Sequence, residues 1–219
     1  MKKINFTEKD RIGIIAPHPD DECLGAFAPM QFIPKQTDVI VVSDGSHGNT
    51  NVSIEEEAVI RRMQFENEMK EVNLSDCIWL GYEDTTLAMH PEMLNGVDLT
   101  KYTMLFIPWQ ESRHPDHRAV FQTVMKQVQK QGAKARLFSY EINAPFRKPT
   151  HYIDITEAID KKLHLIRIHK DQIASYCQDM ITVTLNNFRA CQANSPKSYY
   201  ECYIEVENPY LISFLQIHR

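Results

Sequence analysis

The sequence predicts an α/β domain: a mostly parallel sheet with helices on both faces and a ligand site at the carboxyl ends of the strands. Three observations carry that expectation. Short β-branched apolar runs recur along the chain, stretches of helical periodicity separate them, and Pro, Asp or Gly turns close several of the runs. Alternation of this kind builds βαβ units, whose right-handed crossovers place helices against both sheet faces.

The elements follow in order. Residues 11–16 (RIGIIA) read as a buried strand that ends at a Pro-rich turn, and residues 38–43 (DVIVVS) as a second that ends at Asp44-Gly45. The segment between them is helical in pattern. Helical periodicity returns over residues 54–73, where Ala58, Met63, Phe65, Met69 and Val72 lie among Glu, Arg and Lys. Residues 77–80 and 104–108 read as further strands, 120–128 as a helix, and 137–142 and 152–155 as the last strands. Thr156 is placed to cap a helix running to residue 174. The remaining tail is mixed; its Tyr199, Tyr200 and Tyr203 suit either C-terminal core packing or contact with another copy of the chain.

Length and charge narrow the class. The 219 residues carry 24 Lys and Arg against 29 Asp and Glu, a net charge of −5, and a 43% hydrophobic share supplies a full core. We read one domain over residues 1–219. An acidic balance lacks the clustered cations that hold polyanions, so nucleic acid is not the expected partner. No stretch reaches the roughly 20 apolar residues needed to span a bilayer, so neither a membrane partner nor a non-cytoplasmic location is expected. The five cysteines are odd in number and form no CxxC pair, which suits reduced thiols. None of the seven glycines falls into a dinucleotide or P-loop fingerprint.

Two clusters remain to carry chemistry. Pro17-His18-Pro19-Asp20-Asp21-Glu22 follows the first strand, at the sheet edge where open α/β folds bind ligands. It offers one imidazole and two adjacent carboxylates, of which one can bind a cation while its neighbour stays free. The simpler alternative is that Asp20 and Asp21 cap the next helix. Arg113-His114-Pro115-Asp116-His117-Arg118 follows the strand at 104–108 and opens a helix on the same edge. His18, Asp21 and His117 together supply two nitrogens and one oxygen, the three-ligand pattern of a catalytic zinc site with one open position.

The pair of motifs, HPDDE over residues 18–22 and HPDH over 114–117, resembles the PIG-L (LmbE-like) family of zinc-dependent N-acetylglucosaminide deacetylases. Weaker matches at Arg61, Asp84, Asp154 with Thr156, Lys161 or Lys162, and His169 with Gln172 extend the likeness over most of the chain. Pro17 stands where that family usually has Ala, and the loop from Ser43 to Gly48 is a loose version of its substrate loop.

The resemblance implies a Rossmann-like hydrolase with one Zn2+ per chain, or another divalent metal such as Fe2+, held by His18, Asp21 and His117. It implies Asp20 as general base and His114 as the second catalytic group, protonated to stabilise an oxyanion. Arg61 would reach the substrate; alternatively it lies on a solvated helix face beside Glu57 or Glu66. Asp84 would touch substrate or form a loop-stabilising turn, and Asp116 would orient an imidazole or cap the helix. The implied substrate is a small N-acetylated amino sugar or glycoside, and homo-oligomers are common among similar proteins. A larger acyl amide, or a module that binds zinc or carbohydrate without turnover, are the competing readings.

Overall fold

A computed structural model describes residues 1–74, 76–142 and 145–210. One eight-stranded sheet organises them: β1 (Lys2–Lys3), β2 (Ile12–Ala16), β3 (Thr37–Ser43), β4 (Asp76–Tyr82), β5 (Met104–Ile107), β6 (Arg136–Tyr140), β7 (His151–Asp154) and β8 (Tyr200–Val206). Their spatial order is β1-β7-β8-β6-β5-β2-β3-β4. Strands β6, β5, β2, β3 and β4 are mutually parallel, and β8 runs antiparallel between β6 and β7.

The helices are α1 (Asp21–Gly25), α2 (Phe27–Phe32), α3 (Ile54–Val72), α4 (Pro115–Gln131), α5 (Ile159–Ile166), α6 (Lys170–Tyr176) and α7 (Gln178–Gln192). Alternate residues of β2, β3 and β5 face two separate apolar clusters. Ile14, Val39 and Phe106 point to one, and Ile15, Ile40 and Leu105 to the other. Both faces are therefore covered, as a near-continuous apolar strand requires.

Several elements depart from the sequence reading. Helical pattern between the first two long strands resolves into two short helices broken at Ala26, whose φ of −137° no helix accepts. Thr156 does not cap α5: it starts a short 3-10 turn and its hydroxyl donates to Asp154 while accepting the Tyr199 N–H. The helix expected through residue 174 is interrupted between Ile166 and Lys170. That break turns His169 inward. The tail is structured as α7 and β8, and Tyr200 and Tyr203 are buried within the chain, in keeping with core packing.

Candidate active site

Five adjacent parallel strands deliver the residues of one cleft. Asp20 and Asp21 follow β2, His47 follows β3, Asp84 follows β4, His114 and His117 follow β5, and Tyr140 ends β6. The resulting cavity is about 420 Å³. Strand ends converge there because parallel strands release their following loops on the same edge.

Three imidazoles crowd its floor: the rings of His18 and His114 are 4.6 Å apart, His18 and His117 5.3 Å, and His114 and His117 5.2 Å. Asp21 Oδ2 lies 3.2 Å from His18 Nδ1 and 3.2 Å from His117 Nε2. Ligands about 2.0–2.1 Å from a tetrahedral ion are separated by about 3.3 Å, so Asp21 Oδ2 stands at ligand-to-ligand spacing from each of the two imidazole nitrogens; His18, His114 and His117 also offer nitrogens within 4.8 Å of one another. The other nitrogen of His18 faces Asp84 Oδ1 at 3.1 Å and Asp116 Oδ2 at 3.4 Å. Carboxylates only accept, so Nε2 carries a proton, and Nδ1 can face Asp21 only through a second proton or as a ligand to a shared cation. Two acceptors 3.2 Å apart need a proton or a cation between them. Burial opposes a charge on His18, yet its hydrogen bonds to the carboxylates of Asp116, Asp21 and Asp84 outweigh it and raise its pKa well above the ordinary value. Burial likewise works against the Asp21 carboxylate, but His117 and His18 hold its pKa far below the usual range. The donor set therefore fits a divalent metal.

Asp20 stays outside that set. It does not cap α1 by its side chain; its carboxylate accepts from Arg61 Nη2 at 2.8 Å instead. Burial raises the Asp20 pKa, against the pull of the guanidinium. Arg61 lines the cleft but is 2% exposed, so it is not on a solvated face; Arg62 makes the surface pair with Glu66. His114, not Asp116, is the N-cap of α4: its Nδ1 accepts the Asp116 N–H at 3.3 Å. Nε2 therefore holds the proton of a neutral ring, and burial with the charges of His18 and His117 lowers its pKa. With Nδ1 used as an acceptor the ring proton sits on Nε2, and burial works against the cation that the resemblance implies.

Asp84 is 5% exposed and, besides His18, accepts the His47 N–H at 3.1 Å. Asp116 is fully buried, accepts the Thr85 N–H at 2.8 Å and leaves its Oδ1 without a partner. Both carboxylates brace His18, and Asp84 also lines the cleft.

Apart from Gln172, a weaker match noted in the sequence, other residues of the site gave no signal there. Trp109, Tyr140 and Tyr176 supply aromatic walls, and Gln172 and Gln178 polar ones. Glu57 is buried with both oxygens unpartnered, and burial, helped by the Asp171 charge, pushes it up to about 7. Glu22 and Glu68 are buried side chains whose carboxyls are both raised, mainly by burial and by repulsion within the acidic group, Glu22 to about 8. Periodicity marks such positions only as helix residues.

Fold and cleft together define an α/β enzyme with an imidazole–carboxylate centre at the carboxyl edge of its sheet. A family model for PIG-L, GlcNAc-PI de-N-acetylase, matches residues 14–128, and the chain belongs to that family. It is 26% identical over 199 residues to a diacetylchitobiose deacetylase of Thermococcus kodakarensis, covering 78% of this chain and 73% of the relative. It is 22% identical to a probable N-acetyl-alpha-D-glucosaminyl L-malate deacetylase 2 of Bacillus cereus, covering 76% and 85%. The structure of an N,N'-diacetylchitobiose deacetylase from Pyrococcus horikoshii, complexed with an inhibitor, shares the fold with a TM-score of 0.76 at 23% identity, covering 93% of this chain and 85% of that one.

Proposed function

We propose that the protein is a zinc-dependent hydrolase that removes the acetyl group from an N-acetylglucosamine-type amide, leaving free amine and acetate. The observation that carries this reading is the separation of roles in the HPDDE turn: Asp21 shares its oxygen with two imidazoles while Asp20, its neighbour, stays free on Arg61. His18, Asp21 and His117 would hold the metal. A bound zinc ion lowers the pKa of water to about 7 and polarises a carbonyl oxygen.

The chain's own residues supply the rest. Asp20 takes the proton of the attacking water, and the burial that raises its pKa makes it a better acceptor near neutral pH. The water oxygen adds to the amide carbon, and charge develops on the carbonyl oxygen. His114 Nε2–H donates to that oxyanion, a contact worth on the order of 3 kcal/mol. The C–N bond then breaks, and the proton gained by Asp20 passes to the leaving amine. Asp84 and Asp116 keep the His18 tautomer that leaves Nδ1 free for the metal. Trp109, Tyr140 and Tyr176 offer apolar faces to a sugar ring.

Amine release from a panel of free N-acetylglucosamine, N,N'-diacetylchitobiose, N-acetylglucosaminyl malate and nucleotide-linked N-acetylglucosamine tests the reading. Turnover abolished by a chelator and restored by Zn2+ is expected. Silence across the panel from protein with one zinc bound would favour a larger acyl amide, and failure to bind zinc would refute the proposed centre.

A further inference from the structure

Asp20, the base in the reading above, sits on a backbone that does not hold itself. Its φ is 112°, a region that residues other than glycine occupy only where their surroundings over-determine it. Both edges of the Pro19–Asp20 peptide are clamped. Arg61 Nη2 donates to the Pro19 carbonyl and, at 2.8 Å, to Asp20 Oδ2. On the other edge the Asp20 N–H donates to the Glu22 carboxylate at 3.2 and 3.3 Å.

Arg61 is braced from behind by His169 and Glu68, neither of which lines the cleft, although Glu68 also meets the Glu22 carboxyl. Its Nη1 lies 3.4 Å from His169 Nδ1, and His169 Nε2 lies 2.8 Å from Glu68 Oε2. A guanidinium only donates, so Nδ1 accepts and Nε2 carries the ring proton toward Glu68. Both side chains are buried, at 1% and 0% exposure. The break between α5 and α6 is what brings His169 into this position.

A metal reading of the same corner fails on that tautomer. Cys23, Glu68 and His169 offer ligand atoms within 4.8 Å of one another. The nitrogen that faces Glu68 already holds a proton, though, and has no lone pair for an ion. Cys23 Sγ meanwhile contacts the Asp20 carbonyl at 3.2 Å.

We propose that His169 and Glu68 are positioning residues: a buried strut that locks the Arg61 guanidinium and, through it, the Pro19–Asp20 peptide that aims the Asp20 carboxylate. The proposal rests on the deacetylase reading for its kinetic consequence but not for its structural one.

The test uses His169→Phe, which fills the space without an acceptor, and His169→Asn, whose amide oxygen can still take the Arg61 proton. Glu68→Gln keeps an oxygen for the His169 proton. Amine release is measured on N,N'-diacetylchitobiose and N-acetylglucosaminyl malate. His169→Phe is expected to lower kcat by about tenfold to a hundredfold with KM within about threefold and bound zinc unchanged, the scale of a small misplacement of a reacting group. His169→Asn and Glu68→Gln, which each keep one acceptor of the strut, are expected to retain most of the parent kcat. In an Asp20→Asn background His169→Phe adds less than about twofold, because residues that act as one unit are not additive.

An unchanged kcat, a rise in KM alone, a fully additive loss, or a second bound metal ion that His169→Phe removes would each overturn the proposal. A crystal structure of the His169→Phe protein gives an answer that does not depend on activity: a shifted guanidinium and a changed Asp20 φ support the strut, and an unchanged turn refutes it. If Asp20→Asn proves fully active, the base reading falls while the crystallographic result still decides the strut. His169→Leu serves the same readouts if the phenyl ring is not accommodated.

Discussion

Asp20→Asn separates the proposed base from the proposed metal ligands, because its carboxylate bonds to Arg61 and not to His18 or His117. The replacement is nearly isosteric, and Asn tolerates positive φ better than most residues, so the turn at φ 112° survives. The Asn Oδ1 can still accept from Arg61 Nη2, which reaches Asp20 at 2.8 Å. None of the three atoms that share the 3.2 Å spacing belongs to Asp20, so zinc affinity is expected to hold. What is lost is the proton acceptor. General-base catalysis contributes about 10²–10⁴ in rate, which is about 2.7–5.4 kcal/mol at about 1.36 kcal/mol per decade. Thermal stability is expected to fall modestly, since Arg61, buried beside it, keeps an acceptor but loses the charge of its Asp20 partner. The assay is kcat/KM for amine release, read beside zinc content and a thermal melt of the same preparation. Activity within about threefold of the parent, with zinc bound, would refute the assignment of Asp20 as base.

Zn2+ at about 100 times its Kd should stabilise the metal-free protein by about 2.7 kcal/mol, or roughly 5–10 °C in Tm for a domain of this size; His117→Ala should show no such shift in a melt. Lys162 is fully buried and bonded to Glu201, Leu24 O and Asn186. Lys162→Met strands the buried Glu201 carboxylate at a cost of about 3–5 kcal/mol, so Tm should drop by roughly 6–20 °C, and adding Glu201→Gln should recover part of it. Glu57, raised to about 7, is still protonated in the fold when the unfolded chain's carboxyl has ionised. The folded state then binds more protons, and its contribution to stability declines as pH rises from about 4.5 to about 7. Urea unfolding of Glu57→Gln across that window should show a flatter profile; an unchanged slope would remove Glu57 from the account.

How much was legible in the chain differs between the strands and the links among them. The runs at 12–16, 38–43 and 104–107 were readable because a strand buried on both faces must be continuously apolar, and their order with intervening helices is enough for a parallel sheet. His18, Asp21 and His117 were readable as a set because each motif follows such a strand and so reaches the same edge. The antiparallel insertion of β8 between β6 and β7 was not, since no local period records which strand a distant segment will pair with.

The same boundary runs through the site. Residue types and their spacing within a motif were enough to put His18 beside Asp21, because side chains a few residues apart on one turn stay together whatever the rest of the chain does. Tertiary structure alone decided what each neighbour does. Arg61 reaches Asp20 across 41 positions, and His169 reaches Arg61 across 108. Asp84, which the resemblance sends to substrate, also braces His18 from the loop after β4. Contacts of that separation leave no trace in periodicity or motif, because they exist only once the sheet has set the distance between its strand ends. Burial then shifts the proton affinity of Asp20 and Glu57 upward and of His114 downward, a property of the folded surroundings and not of the residues themselves.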